Sequence, residues 1–171
     1  LPVREAIRTL VAEGVVVARP RTWAVVREFT HDDIRNFAEV REAIETLIFV
    51  FAAERHDAAG LARLRDAYER EAAAARAGDA ETARTAAAEF HEIAVDLAGN
   101  EMLGELIAVF LTRLRWLFGQ HDDLAAMADE HRVILEAVAA RDVEAVRRMV
   151  PAHLASGHSA AERRLAQTVT G

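Results

Sequence analysis

Hydrophobic residues recur every three or four positions along most of the chain, and this spacing is typical of α-helices with one buried face. Between these periodic stretches lie Gly, Asn and Asp residues, which often end one helix and begin the next. From Thr30 onwards the pattern predicts six helices, at about 30–55, 58–77, 80–98, 101–119, 124–140 and 142–168. We therefore expect an all-α fold built around a six-helix bundle.

The first residues follow a different pattern. A periodic stretch from Pro2 to Glu13 predicts a short helix that ends at Gly14. Two β-branched runs, at 15–17 and 24–26, then flank a basic segment and predict a β-hairpin. A helix followed by a hairpin is the second half of a winged helix-turn-helix, in which one helix enters the major groove and the wing contacts the DNA backbone. The alternative is a terminal helix and hairpin that only pack on the helical body.

Composition narrows the class of protein. Of the 171 residues, 52% are hydrophobic, which indicates a folded globular chain. There is no cysteine, so a metal site would need His, Asp or Glu ligands. No apolar run is long enough to cross a membrane and no signal peptide opens the sequence, so we expect a cytoplasmic protein with no membrane partner.

Charge is distributed unevenly along the chain. The net charge of −7 argues against a protein that binds nucleic acid over its whole surface. Residues 1–29, however, contain five Arg and three Glu, a net charge of +2, and the remainder carries −9. The basic part therefore coincides with the predicted helix and hairpin.

Three histidines lie on the apolar faces of three different predicted helices: His91, His131 and His153. A buried imidazole without a partner carries a desolvation cost, and one shared metal ion would provide a partner for all three. Separate hydrogen-bonded core histidines are the alternative. Three other histidines lie near predicted helix ends beside charged residues and are expected at the surface: His31, His56 and His121.

Arg41 interrupts the apolar face of the first long helix of the bundle. It could form an ion pair with Glu45, one turn further on, or pack its stem while its charged end reaches water. It could also project into a cavity and bind the carboxylate of a small molecule.

Four segments resemble one family of bacterial transcription regulators. "PVREAIRTLVAEGVVVARP" resembles the recognition helix and wing of the GntR family. Its FadR-type branch carries an effector domain often called FCD, which three later segments resemble: "VREFTHDDIRNFAEVREAIETLIFVFAAE", "EFHEIAVDLAGNEMLGEL" and "EHRVILEAVAARDVEAVRRMVPAHL". The resemblance implies that residues 1–28 are the C-terminal part of a winged-helix DNA-binding domain. Residues 29–171 would then form an FCD-type effector-binding and dimerisation domain.

The resemblance also implies DNA contacts. Arg4 and Arg8 would lie on the recognition helix, and Arg19 and Arg21 on the wing. The first two helices of the family's DNA-binding domain have no counterpart in the sequence. We therefore expect operator binding only from a longer chain, acting as a homodimer.

Many FCD domains hold a divalent metal in the effector cavity with one Asp and three His, and His91, His131 and His153 match the three His. The Asp position, one helical turn before the first His, is Ala87 here. A three-His site for zinc, nickel or manganese, with open positions for water or an effector, is expected, and a metal-free cavity is the alternative. Pro151 is expected to kink the last helix just before His153.

The function implied is that of a ligand-responsive regulator, more often a repressor, with a small carboxylate effector held near the metal and Arg41 as its contact. A metal-dependent enzyme is the competing class, because a three-His metal centre can activate water. No acidic residue lies one helical turn from any of the three histidines to serve as a base. The sequence therefore favours a regulator over an enzyme.

Overall fold

A computed structural model of the chain describes residues 2–19, 24–108, 112–113, 115 and 123–169. The first elements are a helix, α1 (Pro2–Ala12), and two strands, β1 (Val16–Val17) and β2 (Val25–Val26). Six helices of the described residues follow: α2 (His31–Arg55), α3 (Ala58–Ala77), α4 (Ala80–Ala98), α5 (Glu101–Ala108), α6 (Leu124–Ala139) and α7 (Val143–Val169). The predicted all-α bundle is confirmed, while the predicted extension of α5 to residue 119 falls largely outside the described residues.

Local signals place the helix ends where the sequence predicted them. Thr30 accepts a hydrogen bond from the Asp33 backbone N–H, and the Asp33 side chain accepts one from the Thr30 backbone N–H, so α2 begins with a complete capping box. Helices α3 and α4 end at Gly78 and Gly99, with φ of 73° and 57°. Glycine adopts this left-handed conformation without a side-chain clash, so both helices stop there.

The bundle is organised around α2, which packs against α4 and α7, while α3 packs against α4 and α6. Large apolar side chains from five helices fill the space between them: Ile34, Ile48, Phe49, Leu64, Phe90, Ile134, Val138, Val146 and Val150. Helix α7 continues past Pro151 and carries His153 into this interior. No helix within the described ranges has the length and hydrophobicity needed to cross a membrane.

The helix and hairpin at the start of the chain form as predicted. β1 and β2 pair antiparallel, with Val16 opposite Val26 and Val17 opposite Val25. No residue of α1 is buried among the described residues, and Val3 on its apolar face is 71% exposed. The apolar face of α1 is therefore largely exposed in the part of the chain that the structure describes.

Candidate metal centre and effector cavity

The three predicted histidines meet inside the bundle. His91 comes from α4, His131 from α6 and His153 from α7. Their Nε2 atoms lie 3.2 Å apart for His91 and His131, 3.2 Å for His131 and His153, and 3.3 Å for His153 and His91. The three form a group that could hold a metal ion, so the predicted convergence is confirmed.

Each imidazole has a glutamate beside its other nitrogen. Nδ1 of His131 lies 2.7 Å from Glu71 Oε2, and Nδ1 of His153 lies 2.7 Å from Glu130 Oε2. Nδ1 of His91 is also 2.7 Å from a carboxylate oxygen, Oε2 of Glu45. This last contact is short, but neither atom makes a hydrogen bond of good geometry, so it is the least well aligned of the three.

The contacts with the glutamates determine the tautomer of each imidazole, and so which nitrogen has a free lone pair. An ionised carboxylate only accepts hydrogen bonds, so His131 and His153 must each carry a proton on Nδ1, and the same tautomer suits His91. Neutral imidazoles in this tautomer direct their Nε2 lone pairs at one another. Lone pairs 3.2–3.3 Å apart repel unless a cation lies between them. A divalent metal fits this donor set, because ligands at about 2.1 Å in tetrahedral geometry are roughly 3.4 Å apart.

The surroundings of Glu45 and His91 favour an ionised Glu45 and a neutral His91. Burial raises the pKa of Glu45, but the charge of Arg41, the largest opposing effect, together with the contact to His91, outweighs burial and lowers that pKa to about 2. Burial lowers the pKa of His91 below its usual value of 6.5, although Glu45 opposes this effect. His91 is therefore available as a neutral metal ligand near neutral pH.

A cavity of about 270 Å³ opens beside the cluster, and all three histidines line it. This volume equals the liquid volume of roughly nine water molecules, which is enough for a small metabolite. Ala87 lines the same cavity, one turn before His91. The lining is mostly apolar, with charged side chains at a few positions: Arg41, Glu45, Arg84, Glu92, Asp96 and Arg115.

Arg41 faces this cavity and also forms the ion pair that was its alternative role. Its Nε lies 2.5 Å from Glu45 Oε1, and both side chains are buried. Because the other oxygen of Glu45 faces His91, one carboxylate links Arg41 to the histidine cluster.

Predictions for the remaining histidines were partly wrong. His31 is exposed, as expected, and pairs with Glu162. His56 was expected at the surface but is only 8% exposed, because the turn after α2 packs against the end of α6 and the His56 Nε2–H donates to the Val138 carbonyl at 3.1 Å. His121 lies outside the described residues.

Sequence reasoning missed the glutamates as partners of the cluster. Glu71 lies on the buried face of α3 with Leu64, Ala67 and Ala74, so an acidic residue within an apolar stripe was a usable signal. Glu130 directly precedes His131 and gives no such signal. Its role depends on how α6 packs against α7.

The predicted DNA contacts lie on the first elements of the chain. Arg4 and Arg8 are exposed on α1, and Arg19 is exposed just after β1. Arg21 lies outside the described residues. Three of the four arginines are thus exposed on or next to the first elements, and their contact with DNA stays a prediction.

Comparison with protein families gives a match between residues 36–156 and the FCD domain. The chain belongs to the FCD-domain family. The match includes Arg41 and all three histidines of the cluster. It confirms the resemblance to the FadR-type branch of GntR transcription regulators that the sequence suggested.

Two relatives named as transcription regulators agree with this assignment. The HTH-type transcriptional regulator LutR of Bacillus subtilis (strain 168) is 28% identical, over 89% of this chain and 80% of LutR. A probable D-xylose utilization operon transcriptional repressor of Paenarthrobacter nicotinovorans is 26% identical, over 91% of this chain and 70% of the relative. Both relatives are named as transcription regulators, and neither name describes an enzyme.

Solved structures show the same fold. The structure of E. coli McbR/YncC has a TM-score of 0.84 at 20% identity, covering 95% of this chain and 84% of that one. A putative transcriptional regulator GntR from Rhodococcus sp. RHA1 has a TM-score of 0.76 at 22% identity, covering 93% and 78%.

Proposed function

We propose that this chain is part of a DNA-binding repressor that responds to a small carboxylate bound beside a divalent metal. Residues 29–171 would form the effector-binding and dimerisation domain, and residues 1–28 the C-terminal part of a winged-helix domain. The observation that carries the proposal is the convergence of three Nε2 atoms with a carboxylate beside each Nδ1. His91, His131 and His153 would bind zinc, nickel or manganese.

The effector would bind in the cavity next to this metal. Three imidazoles leave positions of a four- to six-coordinate ion open, and Ala87 contributes no carboxylate to fill one of them. A carboxylate of the effector can fill such a position. The Arg41 guanidinium faces the same cavity and would contribute a second contact to the anion.

The DNA-binding function is assigned to the basic surface of α1 and the hairpin. Arg4 would contact a base, Arg8 a phosphate, and Arg19 and Arg21 the DNA backbone beside the wing. The effector would change the relative placement of two such domains in a homodimer, by binding one arrangement more tightly than the other. A regulator of this kind acts in the cytoplasm, where its operator lies.

Metal analysis of the purified protein tests the central part of the proposal. The protein is prepared without chelators, its native mass is measured, and it is then titrated with zinc, nickel and manganese. We expect one metal ion per chain and a strong reduction in metal content for His91→Ala, His131→Ala and His153→Ala. His31→Ala is the matched control, because this histidine is exposed outside the cavity.

A protein that contains no metal and takes up none of the three would contradict the metal site. Carboxylate binding measured by calorimetry in such a protein would instead indicate a metal-free effector cavity. Loss of metal in His31→Ala equal to that in the cluster variants would show that the ion binds elsewhere.

A further inference from the structure

Glu71 is a fully buried carboxylate in the interior of the bundle, with 0% of its surface exposed. Oε2 contacts His131 Nδ1, whereas Oε1 has no hydrogen-bond partner among the described residues. Its ion-pair partner in the described part of the chain is His131, which is itself only 1% exposed. Burying a carboxylate with so few partners is costly, so the contact with His131 is the main compensation that the described residues give Glu71.

The other two glutamates have the same position relative to their histidines. Glu130 contacts His153 Nδ1 and also accepts a hydrogen bond from the Ser156 hydroxyl at 2.8 Å. Glu45 lies between Arg41 and His91. Three carboxylates from three helices thus surround the three imidazoles, on the side away from the cluster centre.

We propose that Glu71, Glu130 and Glu45 are positioning residues of the metal centre. They hold the imidazoles in the tautomer that presents Nε2 to the metal, and they supply negative charge outside the ligand sphere. Together with Arg41, three carboxylates balance a divalent cation. This role matters because Ala87 leaves the ligand sphere itself without the carboxylate. The inference rests on the proposed metal site.

A distinctive consequence concerns the sign of the effect on stability. With metal bound, the Glu71 charge is compensated through His131, and its removal weakens the site. Without metal, Glu71 is a buried carboxylate whose partner among the described residues is His131, and we expect its replacement to cost little or even to stabilise the fold. A glutamate with a purely structural role would lower stability by the same amount in both forms.

The experiment compares wild type with Glu71→Gln, which preserves side-chain shape. Zinc and nickel affinities are measured by competition with a chelator, and melting temperatures are measured with metal and with excess chelator. We expect metal affinity to fall about 10- to 100-fold, as is typical when a partner of a metal-bound histidine is lost. The variant should melt below wild type with metal and at or above wild type without it. Glu89→Gln is the matched control, because Glu89 pairs with Arg70 outside the cluster.

Glu130 provides a second test, which does not require a substitution in the interior of the bundle as Glu71 does. Its side chain is 32% exposed, so Glu130→Ala removes the acceptor of His153 at a site that tolerates change. In metal-free protein, ¹⁵N chemical shifts should show His153 protonated on Nδ1 in wild type, and a shift towards Nε2 protonation in the variant. Zinc affinity should fall as well.

The outcomes distinguish the role of the glutamates from the existence of the metal site. Wild type that binds metal while Glu71→Gln and Glu130→Ala bind it equally well would overturn the role of the glutamates and leave the metal site standing. Unchanged His153 tautomers in Glu130→Ala would also overturn it. Wild type that binds no metal would overturn both.

Discussion

At the scale of single residues, Ala87 occupies the position where the family resemblance led us to expect an Asp ligand of the proposed metal. It is buried, lines the cavity and lies one helical turn before His91. Ala87→Asp would place a carboxylate on the same face of α4 as His91. We expect metal binding to tighten about tenfold or more, which corresponds to 1.4 kcal/mol or more. Affinity for a carboxylate effector should fall, because the new ligand occupies the position that the effector would use.

Ala108→Asp is the control for this experiment, because Ala108 lines the same cavity from α5 and the substitution adds the same charge. An equal gain in the control would show a general electrostatic effect and not ligation. No change in metal affinity for Ala87→Asp would contradict the assignment of this position as a vacant ligand site.

Arg41 provides a second prediction at this scale. Because Arg41 pairs with Glu45, a variant that removes its charge and one that keeps the charge are both needed. Arg41→Ala leaves Glu45 without its cation and should weaken carboxylate binding by about 2 kcal/mol or more. Arg41→Lys keeps a positive charge beside Glu45 but lacks the planar guanidinium, which can bind both oxygens of a carboxylate. Compared with Arg41→Ala, it should therefore bring metal affinity closer to wild type than effector affinity. Calorimetry with small carboxylates, with Arg35→Lys as a control on the same helix, measures both. Equal effector affinity in wild type and Arg41→Ala would make Arg41 purely structural.

The sequence predicted the three histidines because each lies on its own apolar helical stripe, a pattern visible within a single helix. It did not predict their glutamate partners, since each pair joins two different helices. Glu71 and His131, for example, are 60 positions apart and meet only because α3 packs against α6. His56 was placed wrongly for the same reason: its burial depends on the end of α6.

At the scale of elements, the start of α2 yields a pH-dependent prediction. Burial raises the pKa of Asp33, but hydrogen bonds from Thr30 and the charge of Arg27 outweigh this effect and lower it below 3.8. A lowered pKa in the folded state means that the Asp33 charge stabilises the fold above the unfolded-state pKa, and that this contribution is lost as pH falls below it. Asp33→Asn should therefore destabilise the protein at pH 7 by about 1 kcal/mol, and the difference should shrink near pH 3.

Urea unfolding at the two pH values measures this difference. Asp32→Asn is the control, because Asp32 lies in the same helical turn and forms an exposed ion pair with Arg35. The expected difference is small at both pH values for this control. A constant difference for Asp33→Asn at pH 7 and pH 3 would show that its charge does not contribute.

Helix ends were predicted well because the chemistry of capping is local to a few consecutive residues, as at Gly78 and Gly99. The break at Arg141 was predicted, but its function was not. Arg141 adopts a φ of 56° and donates hydrogen bonds to the carbonyls of Ala53, Glu54 and His56, near the end of α2. This contact connects the α6–α7 turn to a distant helix end, so only the folded arrangement reveals it.

At the scale of the whole molecule, Arg113 lies between the elements proposed to bind DNA and the helical domain proposed to bind the effector. A Cβ added to Gly14, just after α1, would lie only 2.9 Å from Arg113 Cζ, so the guanidinium fits closely against glycine backbone. The same guanidinium lies 5.2 Å from the centre of the Phe37 ring on α2. Ile107 and Arg115, on either side of Arg113 in the sequence, line the effector cavity. A shift of the segment that carries Ile107 and Arg115 would therefore move Arg113, which contacts Gly14 at the end of the proposed recognition helix.

We expect Arg113→Ala to reduce communication between cavity and DNA without changing either binding site. In a chain that carries a complete winged-helix domain, metal and effector affinities should stay within about twofold, since Arg113 does not line the cavity. The effector-induced change in operator affinity should shrink about fivefold or more, because allosteric coupling between two sites usually amounts to 1–3 kcal/mol. Operator binding is measured by fluorescence anisotropy with and without effector, and Arg147→Ala, an exposed arginine on α7, is the control. If Arg113→Ala responds to effector as wild type does, coupling runs through other contacts. If Arg147→Ala loses the response equally, the loss is not specific to the Gly14–Arg113–Phe37 contact.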